Sequence, residues 1–273
     1  MRDLHRPEKA FTLTELLVII GVLVILAMSL LPVLASAKPA ALRLVCANNL
    51  RQVGVAFQSW AINHNGNTPM TTSSTQGGDA QDVGYRTLST TQTGSRGVAR
   101  MFLCMSNELS TPKILFCPAE YENAYRHLAT TFSGTYDSAT NSAPYTNDLN
   151  ASYFIGVDAR DTQPRMLLAG DHNLGGNASP PTIAYCAAPA IYAPSFAVWL
   201  GTNSLFGQGP GFMRNQHDQQ GNVAFADGSA DSLSRAQFQT ALNSTADTGR
   251  NPGTFVPATG ASAGTGCNRI QLP

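Results

Sequence analysis

The chain has 273 residues, a formal net charge of zero, and 12% charged side chains against 43% hydrophobic ones. A neutral chain so poor in charge lacks the basic footprint of a nucleic-acid binder and the polybasic run that holds anionic lipid. Its charged share is about half that of an ordinary soluble domain; Asn, Gln, Ser, Thr and Gly fill the gap, a surface suited to the outside of the cytoplasm.

Residues 1–10 are basic through Arg2, Arg6 and Lys9, partly offset by Asp3 and Glu8. Phe11 to Ala37 then runs for 27 residues with one charge, Glu15. About 20 apolar residues span a bilayer core as a helix, so this run reads as a membrane segment. The preceding positive charges place the N-terminus in the cytoplasm. A secretory signal is the rival, with Ala35-Ser36-Ala37 as its cleavage site. It predicts a shorter apolar core, about 7 to 15 residues, and no acid near its start. A carboxylate in a membrane helix costs roughly 2.5–3.5 kcal/mol and marks function.

Lys9-Ala10-Phe11-Thr12-Leu13-Thr14-Glu15 resembles the prepilin motif of type IV pilins and type II secretion pseudopilins. The resemblance implies cleavage between Ala10 and Phe11 by a prepilin peptidase and methylation of the new Phe11 amine. Ala10 departs from the Gly usual before the cut. The resemblance also implies that Glu15 pairs with the Phe11 amine of a neighbouring subunit. A buried carboxylate needs such a partner, and a single buried pair sets register between helices. Pro32 lies inside the apolar run and predicts a kink, as in many pilins; Pro39 predicts a second bend.

From 41 to 63 the pattern turns amphipathic. Leu42, Cys46, Leu50, Val53, Phe57 and Trp60 recur every three or four residues, with Arg43, Asn48, Arg51, Gln52 and Ser59 off the stripe. Asn63 to Asn67 carries turn residues that end the helix. From Phe11 to Ile62 the helix would be about 78 Å long, a length suited to a filament. Residues 64–97 read as loop. Strands are predicted at 113–117, 152–157, 166–169, 197–200 and 222–226, and a short helix at 234–243. The stretch 175–195 reads as a surface loop and 247–266 as an extended tail. The fold class is α+β, with a long N-terminal helix across an antiparallel sheet. The organisation is a leader (1–10), a membrane or filament-core helix (11–38), its amphipathic continuation (39–63) and a head (64–273). Segments 46–54, 106–118, 152–158, 168–173 and 217–229 resemble the heads of large pseudopilins.

Five cysteines are present: Cys46, Cys104, Cys117, Cys186 and Cys267. None forms a CxxC, so zinc-finger spacing is absent and an odd thiol remains. Cys104 with Cys117, and Cys186 with Cys267, are candidate disulfides outside the cytoplasm. Asp171, His172, His217, Asp218 and Asp227 can be drawn as a metal or acid–base site, but no HExxH, GxSxG, GxGxxG or P-loop accompanies them. The simpler reading is structural, with Asp227-Gly228 a tight turn. Resemblance to the major pseudopilins raises calcium, for which Asp218, Asp227 and Asp231 are candidates. No cofactor is otherwise expected, and no enzyme activity.

The expected function is therefore that of a filament subunit. Its partners are copies of itself and other pseudopilins, prepilin peptidase, the inner-membrane assembly platform with its ATPase, and membrane lipid before assembly. The rival is a membrane-anchored periplasmic enzyme or ligand-binding domain with an uncleaved anchor.

Overall fold

The computed structural model describes residues 11–80, 97–121, 126–133, 142–175, 197–200, 211–245, 256–258 and 268–273. Most of the predicted loop 175–195 and most of the tail 247–266 lie outside these residues. Helix α1 covers Leu13–Asn63, and its assignment runs through Pro32 and Pro39 without a break. The chain divides into two compact units, Met1–Ala41 and Leu42–Pro273.

In the first unit, every side chain from Phe11 to Leu30 is exposed. Leu16, Leu17, Val18, Ile20 and Val22 are among the large hydrophobic side chains left exposed there.

The second unit is mixed α+β. Its part of α1 buries the stripe read from sequence from Cys46 onward, while Leu42 and the off-stripe Arg43 are half-buried. Cys46, Leu50, Val53, Phe57 and Trp60 are buried, while Asn48, Arg51, Gln52 and Ser59 face out. Short helices follow, α2 (Val98–Cys104) and α3 (Ser106–Leu109). The predicted strand at 113–117 is instead a 3-10 turn, Pro112–Leu115. Pro112 fixes φ at the first helical position, and the Thr111 side chain accepts the Lys113 N–H, so the chain is capped into a turn rather than extended.

The strands are β1 (Tyr153–Gly156), β2 (Leu167–Asp171), β3 (Leu174–Gly175), β4 (Ala197–Trp199), β5 (Gly211–Phe212), β6 (Gln220–Phe225), β7 (Ala230–Ser234), β8 (Val256–Ala258) and β9 (Arg269–Gln271). Seven of them make one antiparallel sheet in the order β7-β6-β2-β1-β9-β4-β8; β3 and β5 pair separately. Helix α4 (Arg214–His217) precedes β6, and α5 (Arg235–Ser244) follows β7, starting at a Ser234–Gln237 capping box.

The central strands are buried on both faces. Alternation sends Tyr153, Ile155 and Ala224 into one core with Leu50, Val53, Phe57, Met101 and Phe102. It sends Phe154, Val223 and Phe225 into a second core with Phe238 and Leu242 of α5. This double coverage explains why β1 and β2 read as unbroken apolar runs. The β6–β7 hairpin turns at Asp227-Gly228, as expected. Asp227 Oδ1 accepts from Ser229 N–H at 2.8 Å, and Gly228 takes φ +81°, open to glycine at little cost.

Candidate functional site

Helix α1 opens with a structure the sequence reading did not draw out. Thr12 is its N-cap. The Thr12 Oγ1 accepts from Glu15 N–H at 3.3 Å, and Glu15 Oε2 accepts from Thr12 N–H at 2.9 Å and from Thr12 Oγ1 at 2.8 Å. This is a capping box, readable as Thr-x-x-Glu before an apolar run. Glu15 is therefore satisfied within one chain, on an exposed helix start. Phe11 lies just before it and is exposed. Ala10 is outside the described residues. Pro32 lies within α1. Leu13–Leu30 is long and apolar enough to cross a membrane.

In the second unit, a buried polar cluster forms where β1, β2 and β6 meet the start of the packed part of α1. Its covalent member is a disulfide between Cys46 and Cys117. This corrects the expected Cys104–Cys117 pair. Cys117 bonds to Cys46 of α1 and not to Cys104, which lies at the end of α2. Cys186 and Cys267 lie outside the described residues. The physical reason is packing: the stripe of α1 puts Cys46 in the same apolar core as Cys117.

Asp171, at the end of β2, is fully buried. Its Oδ2 accepts from Asn222 N–H at 2.7 Å and Asn222 Nδ2 at 2.9 Å, and lies 3.4 Å from His217 Nε2. Its Oδ1 has no hydrogen-bond partner among the described residues. The same His217 Nε2 is 3.4 Å from Cys117 Sγ. Burial pushes the Asp171 carboxyl up to about 8; the Asn222 amide opposes this and the Glu120 charge adds to it. Burial, helped by the Arg43 charge, pushes the His217 ring down to about 4. Both shifts favour the neutral forms, so near pH 7 the carboxyl holds a proton and the imidazole does not.

Next to this pair, His172 Nδ1 faces the Ser152 carbonyl at 2.9 Å and its Nε2 faces Glu120 Oε1 at 3.2 Å. A carbonyl only accepts, so Nδ1 carries a proton there. Arg126 Nε lies 3.6 Å from the same Glu120 oxygen and donates through Nη1 to the Asp148 and Ala151 carbonyls. Glu120 and Arg126 escaped the sequence reading. The available signal was a local run of charge, with Glu108, Lys113, Glu120, Glu122 and Arg126 within ten residues of Cys117 in a chain poor in charge. Tyr153 joins the cluster, its hydroxyl held well above the ordinary tyrosine range by burial and by the Asp171 charge.

The other acidic candidates do not converge. Asp218 precedes β6 and Asp227 follows it, so a six-residue strand, roughly 17 Å, separates them. Asp227 is committed to its own turn, and Asp231 is exposed on β7. The expected calcium trio is therefore not assembled. A cavity of about 490 Å³ lies between Phe57, Gln58 and Ile62 of α1 and the Arg160, Asp161 and Asp227 side. Cys46, Cys117 and Asp171 have no solvent exposure.

Comparison of the chain with protein-family models, with curated proteins and with solved structures finds no match.

Proposed function

We propose that this chain is a prepilin-like filament subunit of the type II secretion pseudopilus or type IV pilus kind. Its leader is cut between Ala10 and Phe11, its first helix resides in the inner membrane, and processed copies stack that helix into a filament core with the head outside. One observation carries this reading: an exposed apolar face all round the helix from Phe11 to Leu30, opened by the Thr12–Glu15 box. A helix apolar on every side with its side chains exposed needs lipid or other helices. Lipid serves before assembly and neighbouring copies after it. Glu15 then has two roles in sequence: capping its own helix start, and meeting a methylated Phe11 amine of the next copy.

The closed character of the head cluster supports a structural head over an anchored enzyme. The test is the intact mass and N-terminal sequence of the protein from its native membrane, with and without its prepilin peptidase. A chain starting at N-methyl-Phe11 only when the peptidase is present is the expected result. A chain that keeps residues 1–10, or one cut after Ala37, refutes the reading.

A further inference from the structure

Four ligand-type side chains meet in the head: Cys46, Cys117, Asp171 and His217. Their Sγ, carboxylate oxygen and ring nitrogen atoms all lie within 4.8 Å of one another, and all four residues are buried. Among the described residues no other such group occurs. Four donors around a zinc ion at about 2.0–2.3 Å stand roughly 3.3–3.8 Å apart along the edges of a tetrahedron. His217 Nε2 already stands at 3.4 Å from both Cys117 Sγ and Asp171 Oδ2. The two sulfurs, joined in the disulfide, are closer than such a site needs. We propose that reduction of Cys46–Cys117 opens a tetrahedral site of two thiolates, one carboxylate and one imidazole for a single zinc-type divalent cation.

The rest of the cluster is arranged to support it. The Asn222 N–H and Nδ2 hold Asp171 Oδ2, the kind of outer contact that fixes a ligating carboxylate. Asp171 Oδ1 is buried and has no hydrogen-bond partner among the described residues. Two thiolates and a carboxylate exceed a divalent charge by one, and the Arg43 guanidinium, close enough to act on the His217 ring, offsets the excess. Soft thiolates select zinc over calcium or magnesium. The step balances. A dithiol reductant gives two electrons and two protons to the disulfide and itself closes to a disulfide; zinc then displaces the two thiol protons to solvent. The cation restores the link between α1 and the Cys117 segment that reduction removes.

The test uses the full chain in detergent with Cys104→Ser, Cys186→Ser and Cys267→Ser, so that Cys46 and Cys117 are the cysteines left. It is purified oxidised, reduced with a phosphine without oxygen, and titrated with cobalt(II). The expected result is one equivalent bound, with a thiolate-to-cobalt charge-transfer band and intense tetrahedral d–d bands that one equivalent of zinc removes. The oxidised chain shows neither band. Asp171→Asn and His217→Gln keep the disulfide during purification, so each is obtained folded before reduction. Each should bind cobalt roughly tenfold or more weakly. Zinc should raise the unfolding midpoint of the reduced chain and leave that of the oxidised chain alone. The proposal is overturned if the reduced chain gives no tetrahedral bands, if both variants bind as the parent does, or if zinc leaves the reduced chain's midpoint unchanged.

Discussion

Breaking the Cys46–Cys117 bond is the perturbation whose size the structure lets us work out most directly. The bond closes a loop of 71 residues. In the chain-entropy account, a loop of that size removes about 15 cal/mol/K from the unfolded ensemble, or about 4 kcal/mol at 25 °C. Both sulfurs sit in the core, so replacement by alanine adds a small packing loss on top. The variant Cys46→Ala/Cys117→Ala should therefore lose about 4 kcal/mol in equilibrium denaturant unfolding with a chelator present. For a head of this size that corresponds to a melting shift of roughly 10 °C. Cys117→Ala alone should cost nearly as much as the pair, because either change abolishes the same bond. Cys104→Ala should cost far less. A loss under about 1 kcal/mol for the double variant, or an equal loss for Cys104→Ala, would refute both the pairing and the entropy argument.

Three further outcomes follow from the geometry. Glu15→Gln keeps a side chain that can close the Thr12 box but removes the charge; it should leave membrane insertion and head melting unchanged yet stop incorporation into filaments, and normal filaments from it would show that only the cap matters. Between pH 6.5 and about 8 the oxidised head should lose about 2 kcal/mol, roughly 1.4 kcal/mol per pH unit, because folded Asp171 holds a proton that the unfolded chain has released. Below 6.5 His217 works the other way, since the unfolded ring gains a proton the folded ring refuses down to about 4, and the two slopes cancel; denaturant melts at pH 6, 7 and 8 check this, and Asp171→Asn should flatten the upper range. Gly156→Ala should destabilise the head by roughly 3 kcal/mol, since its Cβ would stand 1.7 Å from the Leu167 carbonyl oxygen across the β1–β2 pair; a melt within about 0.5 kcal/mol of the parent would mean the two strands are less tightly paired than described.

The parts of the fold legible in sequence were those where periodicity and burial agree. Of the stripe Leu42–Cys46–Leu50–Val53–Phe57–Trp60, the members from Cys46 on are buried and Leu42 is half-buried. Tyr153–Gly156 and Leu167–Asp171 stood out as apolar runs because helices cover both faces of the sheet there. Strand β7 was missed, since Ala230–Ser234 is a polar edge strand in which only Ala230 is buried and which carries no apolar alternation. The segment after Thr111 was misread because its apolar residues looked like a strand while Pro112 set a turn. The disulfide was out of reach for another reason. Sequence favours near neighbours such as Cys104 and Cys117, whereas the true partner is brought in by the docking of a helix onto a core built much later in the chain. The cluster around Asp171 is of the same kind, assembled from residues at 43–46, 117–126, 171–172 and 217–222 by strand pairing.

The location of that cluster bears on the load that the proposed filament role would place on the head. The second unit begins at Leu42, so any load on the chain before it enters the head through the first turns of the packed helix. The first anchoring side chains met there are Arg43, whose Nη1 donates to Gln220 Oε1 at the start of β6 and whose carbonyl accepts from Asn222 Nδ2, and Cys46, bonded to Cys117. Asn222 in turn holds Asp171 on the adjacent strand β2. Extraction of a subunit by its helix would peel that helix from the sheet if only dispersion and burial held it, because such contacts break one residue at a time. A covalent link at the entry point, braced by hydrogen bonds into β6 and β2, instead spreads the load over the central strands. Arg43, Asn222 and Asp171 thus tie the helix to β6 and β2 beside the Cys46–Cys117 bond.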